Sequence, residues 1–137
     1  MNYKLLNLDW NAEPNVPNDK LYRNADNLIL EFELNYFIFE SFHKDQTGRL
    51  TFKGCHKYAY GGTNDEGYFK GQLRYKNADL PYGDFYELET DWINDFPKEA
   101  VIIDSDIKNR KLKHYIFIMK ENIFECVAED YEFSVFN

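Results

Sequence analysis

The stretch HYIFIMKENIFECVAE, residues 114–129, decides which fold we expect of this chain. The run of residues 114–119 is apolar on both of its faces, as a central covered strand would be. A second strand-like run, IFECVAE, follows, and Glu121-Asn122 between the two runs suits a tight turn. The stretch therefore predicts an antiparallel hairpin at the centre of a sheet.

Alternation of apolar and polar residues extends this prediction over most of the chain. The period of two that marks a strand is clear in four runs: residues 28–34, 50–60, 69–76 and 85–92. In the first run, Glu31 and Glu33 lie on the face that we expect to be wet. In the last run, Tyr86, Leu88 and Trp92 are expected to face the core. Shorter strands are expected at residues 4–8, 100–104 and 131–136.

Helix signals are confined to two short segments. Residues 35–48 could begin a helix with Asn35 as the N-cap, and residues 105–113 could begin one at Ser105 or Asp106. The expected fold class is therefore mainly β, or α+β with minor helix. It would contain an antiparallel sheet, a sandwich or a partly open barrel, with one or two short helices.

Length and composition indicate one domain with an aromatic core. The chain has 137 residues, the size of one domain, and we expect residues 1–137 to form a single β-rich unit. It contains 12 Phe, 11 Tyr and 2 Trp, and aromatic side chains favour the half-buried surfaces of sheets. Most of these rings are expected in the core, because interiors need them more often than ligand sites do.

The sequence predicts a cytoplasmic protein that neither enters a membrane nor binds nucleic acid. The N-terminus lacks the pattern of a secretory signal, and the longest apolar run near the C-terminus, YIFIM, is too short to span a bilayer. Cys55 and Cys126 are interpreted as buried reduced thiols, and whether they meet is left open. The net charge of −8 argues against phosphate contacts, which need a basic surface.

Catalytic and metal-binding patterns are weak. The segment GGTNDEGY, residues 61–68, gathers polar residues, but its glycines and its consecutive carboxylates suit a hairpin turn better than an ion site. Glu66 would be the choice if the chain were a hydrolase. The three histidines are far apart and share no metal-ligand spacing. We therefore expect no metal, no cofactor and no catalytic residue, and a binding protein is favoured over an enzyme.

Four stretches carry a resemblance to known proteins. WNAEPNVPN, TNDEGYFKGQ, YGDFYELETDW and HYIFIMKENIFECVAEDYEF together resemble a family of small, uncharacterised bacterial proteins. In size and acidity the chain is similar to the immunity proteins that neutralise bacterial toxins. This similarity implies a protein partner, and it carries over no functional residue.

The acidic residues are concentrated between Asn77 and Asp106. This segment holds nine acidic residues and one basic residue, Lys98, so it accounts for the entire net charge of −8. One interpretation is that residues 69–76 and 85–92 pair as a hairpin in which basic and acidic side chains offset one another. The other is that part of the acidic face attracts a basic protein, such as a secreted nuclease toxin. The residues expected to bind this partner are Glu87, Glu89, Asp91, Asp84 and Asp95.

A small-ligand site is the alternative function. In a sandwich or barrel the aromatic side chains could line a cavity that binds or transforms a ligand. The wall of that cavity would consist of Tyr58, Tyr60, Tyr75, Tyr86 and Trp92, with His56 and Glu66 near its mouth.

Overall fold

The computed structural model describes residues 2–14, 17–37, 39, 41–44, 46–61, 84–98, 100–119 and 122–136. These residues form ten strands: β1 (Asn2–Leu5), β2 (Lys20–Asn24), β3 (Asn27–Glu33), β4 (Thr47–Lys53), β5 (Lys57–Gly61), β6 (Phe85–Glu89), β7 (Val101–Ile102), β8 (Lys113–Ile118), β9 (Ile123–Ala128) and β10 (Asp130–Phe136). All of their pairings are antiparallel. The prediction of a mainly β protein is confirmed.

The strands form two sheets. The order in the six-stranded sheet is β1-β6-β8-β9-β5-β7, and the order in the four-stranded sheet is β10-β4-β3-β2. The hairpin predicted from residues 114–129 is β8–β9, which the hydrogen bond from Met119 N to Asn122 O (3.0 Å) closes. Residues 114–119 are all buried, so the prediction of a central covered strand is also confirmed.

One aromatic core fills the space between the sheets. The four-stranded sheet contributes alternate residues, among them Leu28, Leu30, Phe32, Leu50 and Phe52. The six-stranded sheet contributes Phe85, Tyr115, Phe117, Phe124 and Cys126. Because the side chains of a strand alternate between its two faces, period-two sequences supply one such face from each sheet.

A second, smaller apolar cluster lies on the other face of the six-stranded sheet. It consists of Tyr86, Leu88, Ile116, Ile118 and Ile123. The burial of Tyr86 and Leu88 is as expected. Phe85, on the other face of the strand, is fully buried in the main core, so both faces of β6 are covered at this end.

The chain passes from one sheet to the other three times, once through the loop between β1 and β2 and twice at short crossings that lie next to each other. Between β4 and β5 the crossing occurs at Gly54, whose φ is +59°, and between β9 and β10 it occurs at Glu129. The two crossings touch, since Glu129 N donates a hydrogen bond to Lys53 O (3.0 Å). The expected continuous strand over residues 50–60 is therefore two strands in different sheets. The fold is a sandwich in the loose sense of two packed sheets, and its described strands do not close into a barrel.

The two expected helices do not occur in the described residues. Asn35 forms a turn instead of a helix cap, because its Oδ1 accepts a hydrogen bond from Phe37 N (3.2 Å). Asp106 Oδ1 likewise accepts from Lys108 N (3.3 Å). Such local side-chain bonds satisfy the backbone without a helix. None of the described residues belongs to a helix that is long and apolar enough to cross a membrane.

The expected hairpin between residues 69–76 and 85–92 is also contradicted. β6 has β1 on one edge and β8 on the other, and a strand has only two edges for pairing. Residues 69–76 themselves lie outside the described part of the chain, as do Tyr75 and Glu66.

Cys55 and Cys126 meet in the main core. Both are buried and free, as expected. Burial and a hydrogen bond with the Cys55 thiol raise the pKa of Cys126. Since the thiolate is the reactive form, the Cys126 thiol is a poor nucleophile at neutral pH.

Candidate functional site

The acidic strand β6 is held rigidly between its two neighbours. Lys4 of β1 lies opposite Glu87, and Asn2 lies opposite Glu89. The amide of Asn2 donates a hydrogen bond to Glu89 Oε2 (3.1 Å). Glu87 is half-buried and Glu89 is exposed. The carboxylates are therefore presented from a strand in the sheet and not from a mobile loop.

Directly after β6 the chain turns back on itself. Asp91 O accepts hydrogen bonds from Asn94 N (3.2 Å) and Asp95 N (2.7 Å), and Asp91 Oδ2 accepts from the Asn94 amide (3.0 Å). The turn leaves Asp91 and Asp95 exposed at the surface. It therefore continues the row of carboxylates that begins on β6.

A cleft of about 460 Å³ follows the end of β6. Its lining includes Glu87, Glu89, Asp91 and Trp92 from the acidic segment, together with Lys113 and His114 from β8. Three of the five residues expected to bind a partner thus line one concave surface beside an aromatic ring. Their convergence follows from the β6–β8 pairing, in which Leu88 lies opposite His114.

The cleft rests on a buried polar array. The two ring nitrogens of His114 lie 2.6 Å from Thr90 Oγ1 and 2.9 Å from Glu125 Oε1. A hydroxyl, an imidazole and a carboxylate in this order can activate a nucleophile. The His114 side chain is 0% exposed, however, so it cannot reach a leaving group to return the proton. We assign the array to holding the end of β6 against β8 and β9.

Asp84 has a different role from the other acidic residues. Its Oδ1 accepts hydrogen bonds from the amides of Asn7 (3.0 Å) and Asn11 (2.7 Å). Asn7 Oδ1 in turn accepts from Phe85 N (3.1 Å). Asp84 therefore fixes the loop after β1 to the start of β6, which lies at the opposite end of the strand from the cleft.

Lys57 holds Trp92 in place. Lys57 Nζ donates a hydrogen bond to Trp92 O (2.9 Å) and lies 5.6 Å from the centre of its ring. The same ammonium lies 4.7 Å from the centre of the Phe96 ring. These contacts tie the turn after β6 to β5 and leave Trp92 half-buried at the cleft.

The residues of the alternative ligand site do not form one wall. Tyr58 and Tyr60 pack against the main core, whereas Tyr86 belongs to the cluster on the opposite face of the sheet. His56 and Trp92 meet, with ring centres 5.8 Å apart. Tyr75 and Glu66 lie outside the described residues.

The sequence did not indicate Thr90, Lys113 and His114 as residues of the cleft. Their position depends on the register of β6 against β8, which local periodicity does not determine. A usable signal was present at His114, because a polar residue at the start of a doubly covered strand needs buried hydrogen-bond partners.

Comparison with protein-family models, with curated proteins and with solved structures finds no match to this chain. Within the ranges that the structure describes, no three His, Cys, Asp or Glu side chains are grouped so that they could hold a metal ion.

Proposed function

We propose that the protein is a non-enzymatic binding protein that recognises a basic protein partner through the acidic cleft at the end of β6. The observation that carries this proposal is the cleft itself, where Glu87, Glu89 and Asp91 lie beside Trp92 on one concave surface. A half-buried aromatic ring supplies apolar contact area, and the carboxylates supply charge complementarity.

Electrostatics supports a cationic partner. The whole net charge of −8 comes from the segment that contains the cleft, so the field is concentrated on one region of the chain. A concentrated acidic field accelerates the encounter with a basic partner and disfavours nucleic acid. Rigid presentation helps as well, because carboxylates held by paired strands lose little conformational entropy on binding.

We propose an immunity-type role in the bacterial cytoplasm, with a basic toxin as the partner. Toxins that act on nucleic acid must carry basic surfaces to contact phosphates, and an acidic protein can cover such a surface. The two free thiols suit a reducing compartment.

The experiment combines identification of the partner with a charge test. Co-purification from the native host identifies candidate partners, and stopped-flow mixing then measures the association rate of each purified candidate. We expect the triple variant Glu87→Gln, Glu89→Gln, Asp91→Asn to associate about tenfold or more slowly at low salt, because steering depends on these charges. The difference should shrink as salt rises, since charges are screened over about 10 Å at 0.1 M.

A matched control removes the same charge elsewhere. The variant Asp26→Asn, Glu33→Gln, Glu132→Gln removes three exposed carboxylates from the four-stranded sheet and its β2–β3 turn. This control should slow association much less than the cleft variant does. Equal rates for the cleft variant and the wild type at low salt would refute the proposed function.

A further inference from the structure

Strand β10 leaves one long edge of the four-stranded sheet open. It pairs with β4 over its whole length, Asp130–Phe136, and none of the other described strands pairs with its second edge. In an antiparallel sheet alternate residues of an edge strand direct their N–H and C=O groups outward, so this edge carries donors and acceptors for one more strand.

The other edges of the two described sheets are protected in the ways that native edges usually are. β7 is only two residues long, β1 contains Lys4, and β2 contains Lys20 and Arg23. Short edge strands and basic side chains discourage pairing with another chain. β10, DYEFSVF, contains no lysine, arginine or proline, and the carboxylate of Glu132 is held by Lys53 (3.1 Å). The edge of β10 is therefore the one that suits pairing.

Apolar side chains along β10 are only partly covered. Tyr131, Phe133 and Val135 pack against the main core but are half-buried, and Phe136 is half-buried as well. Trp10 stacks on the Phe133 ring with 4.2 Å between ring centres. Because no described strand lies beyond β10, a strand added at this edge would bury more of their apolar surface, which favours association.

A second copy of β10 is complementary to this edge. With Phe133 opposite Phe133 of the copy, all of β10 pairs in an antiparallel arrangement about a twofold axis. The other pairs, each formed twice, are Tyr131 with Val135, Glu132 with Ser134, and Asp130 with Phe136. Apolar side chains face each other on the inner side, and no two like charges are opposite. A shift of two residues would place Glu132 opposite Glu132, and a shift of one would bring inner side chains to the outer face.

The net charge of the molecule lies away from this edge. The segment from Asn77 to Asp106 carries the whole charge of −8, and the remaining residues include 15 acidic and 15 basic ones. All four strands of the four-stranded sheet belong to this balanced part of the chain. The charge that attracts a basic partner therefore does not oppose contact between two copies at β10.

We propose that β10 pairs with β10 of a second copy of this chain, so that the two four-stranded sheets join into one eight-stranded sheet in a symmetric dimer. The dimer goes beyond the proposed function and does not depend on it, because the cleft is built on the six-stranded sheet. Such a dimer carries two clefts, so it can bind two partner molecules.

Sedimentation equilibrium of the full chain measures the association. Because one pair of edge strands forms a small interface, we expect a monomer–dimer equilibrium in which the dimer predominates at about 100 µM. Hydrogen exchange at about 1 µM and about 300 µM then locates the contact, since amides that become paired are protected. Exchange should slow in β10 at the higher concentration and stay the same in β2. A chain that remains monomeric at about 1 mM, or a dimer that protects other strands and not β10, would overturn the proposal.

Two substitutions at the exposed Ser134 test the register. Ser134→Glu places a carboxylate opposite Glu132 of the copy, twice in each dimer, and should weaken the dimer about tenfold. Ser134→Lys places an opposite charge there and should strengthen the dimer about threefold. Within one chain Arg49 lies opposite Ser134, so Ser134→Glu should not lower the melting temperature of the dilute monomer.

Asn24→Glu is the matched control, because it adds the same charge at an exposed position of β2 on the far edge of the same sheet. It should leave the dimer unchanged. If Ser134→Glu associates as tightly as the wild type, or if Asn24→Glu weakens the dimer as much, pairing through β10 is refuted.

Discussion

Glu31 is a charged residue in the middle of β3 that is nearly buried on the outer face of the four-stranded sheet. Its Oε2 accepts hydrogen bonds from the Tyr22 hydroxyl (2.7 Å) and from Arg49 Nε (3.0 Å). Burial raises the pKa of this carboxyl, but the hydrogen bonds and the charge of Arg49 outweigh burial, so the pKa is lowered overall. The ionised form therefore stabilises the folded state.

We expect Glu31→Gln to lower the free energy of unfolding at about pH 7 by about 1–3 kcal/mol, because Arg49 and Tyr22 lose a charged partner. The folded-state pKa lies below the unfolded value of about 4.3. The advantage of the wild type should therefore be complete above that value and vanish as the pH falls through the folded-state pKa. Urea unfolding of both proteins at about pH 7 and about pH 3 measures the difference.

Glu33→Gln, an exposed change on the same strand, is the control. A loss of the same size at both pH values would contradict the assignment.

Like that of Glu31, the role of Arg110 could not be predicted from the sequence. Its guanidinium binds Glu129 Oε1 (2.9 Å), Asp104 Oδ2 (3.2 Å), Asp106 O (2.8 Å) and Gly54 O, and its side chain is only 15% exposed. It therefore clamps the two short crossings between the sheets, at Gly54 and at Glu129.

Because an ammonium cannot reproduce this fork, Arg110→Lys should cost about 1–3 kcal/mol in urea unfolding. The neighbouring exposed change Lys111→Gln should stay within about 0.5 kcal/mol. Equal stabilities of the two variants would show that the clamp contributes nothing measurable.

At the scale of the element, we expect the apolar side chains of β6 to stabilise the fold and its acidic side chains to serve recognition. Leu88→Ala should destabilise by about 2–5 kcal/mol, because Leu88 is buried against Ile116 and its neighbours. The triple variant of Glu87, Glu89 and Asp91 that neutralises the cleft should cost only about 1 kcal/mol, since charges at the protein surface contribute little to stability. Thermal unfolding followed by circular dichroism measures both. If the triple variant unfolds, the carboxylates are structural and not a recognition surface.

The positions of most strands could be predicted from the local sequence pattern, but the sheet to which each strand belongs could not. Period-two runs located β3, β4 and β6, because a covered face imposes that period. The apolar run at residues 114–119 and the turn after it located the β8–β9 hairpin. The same pattern could not reveal that Gly54 breaks one run into strands of two sheets, since a glycine inside a strand-like run has several meanings. The predicted helices were wrong because Asn35 and Asp106 bind their own backbone in turns, which resemble helix caps at the level of sequence.

The sequence indicated which residue types form the candidate site, but it did not indicate where each of them lies. The acidic segment stood out by charge alone, whereas Asp84 could not be distinguished from Glu87 without the contacts of Asn7 and Asn11.

At the scale of the whole molecule, the two sheets should unfold as one unit. The Trp10 ring packs against rings of both sheets. The distances between ring centres are 4.2 Å to Phe133 and 5.4 Å to Phe32 in the four-stranded sheet, and 6.1 Å to Phe85 and 5.8 Å to Phe117 in the six-stranded sheet. A core shared in this way couples the sheets. In a Trp92→Phe background, Trp10 fluorescence and far-UV circular dichroism should therefore give the same urea midpoint. Separate midpoints would mean that the sheets are stable independently.

The order of the strands also has a consequence for how the chain is made. β1 pairs with β6, with Tyr3 opposite Leu88, and β4 pairs with β10, with Phe52 opposite Tyr131. Such distant pairings give a high contact order and slow folding, whereas the β2–β3 and β8–β9 hairpins can form early. During synthesis on the ribosome, the aromatic face of β3 and β4 emerges long before the strands that cover it. A nascent chain of this topology therefore carries exposed core surface until β10 is complete, and it is a natural client for chaperones.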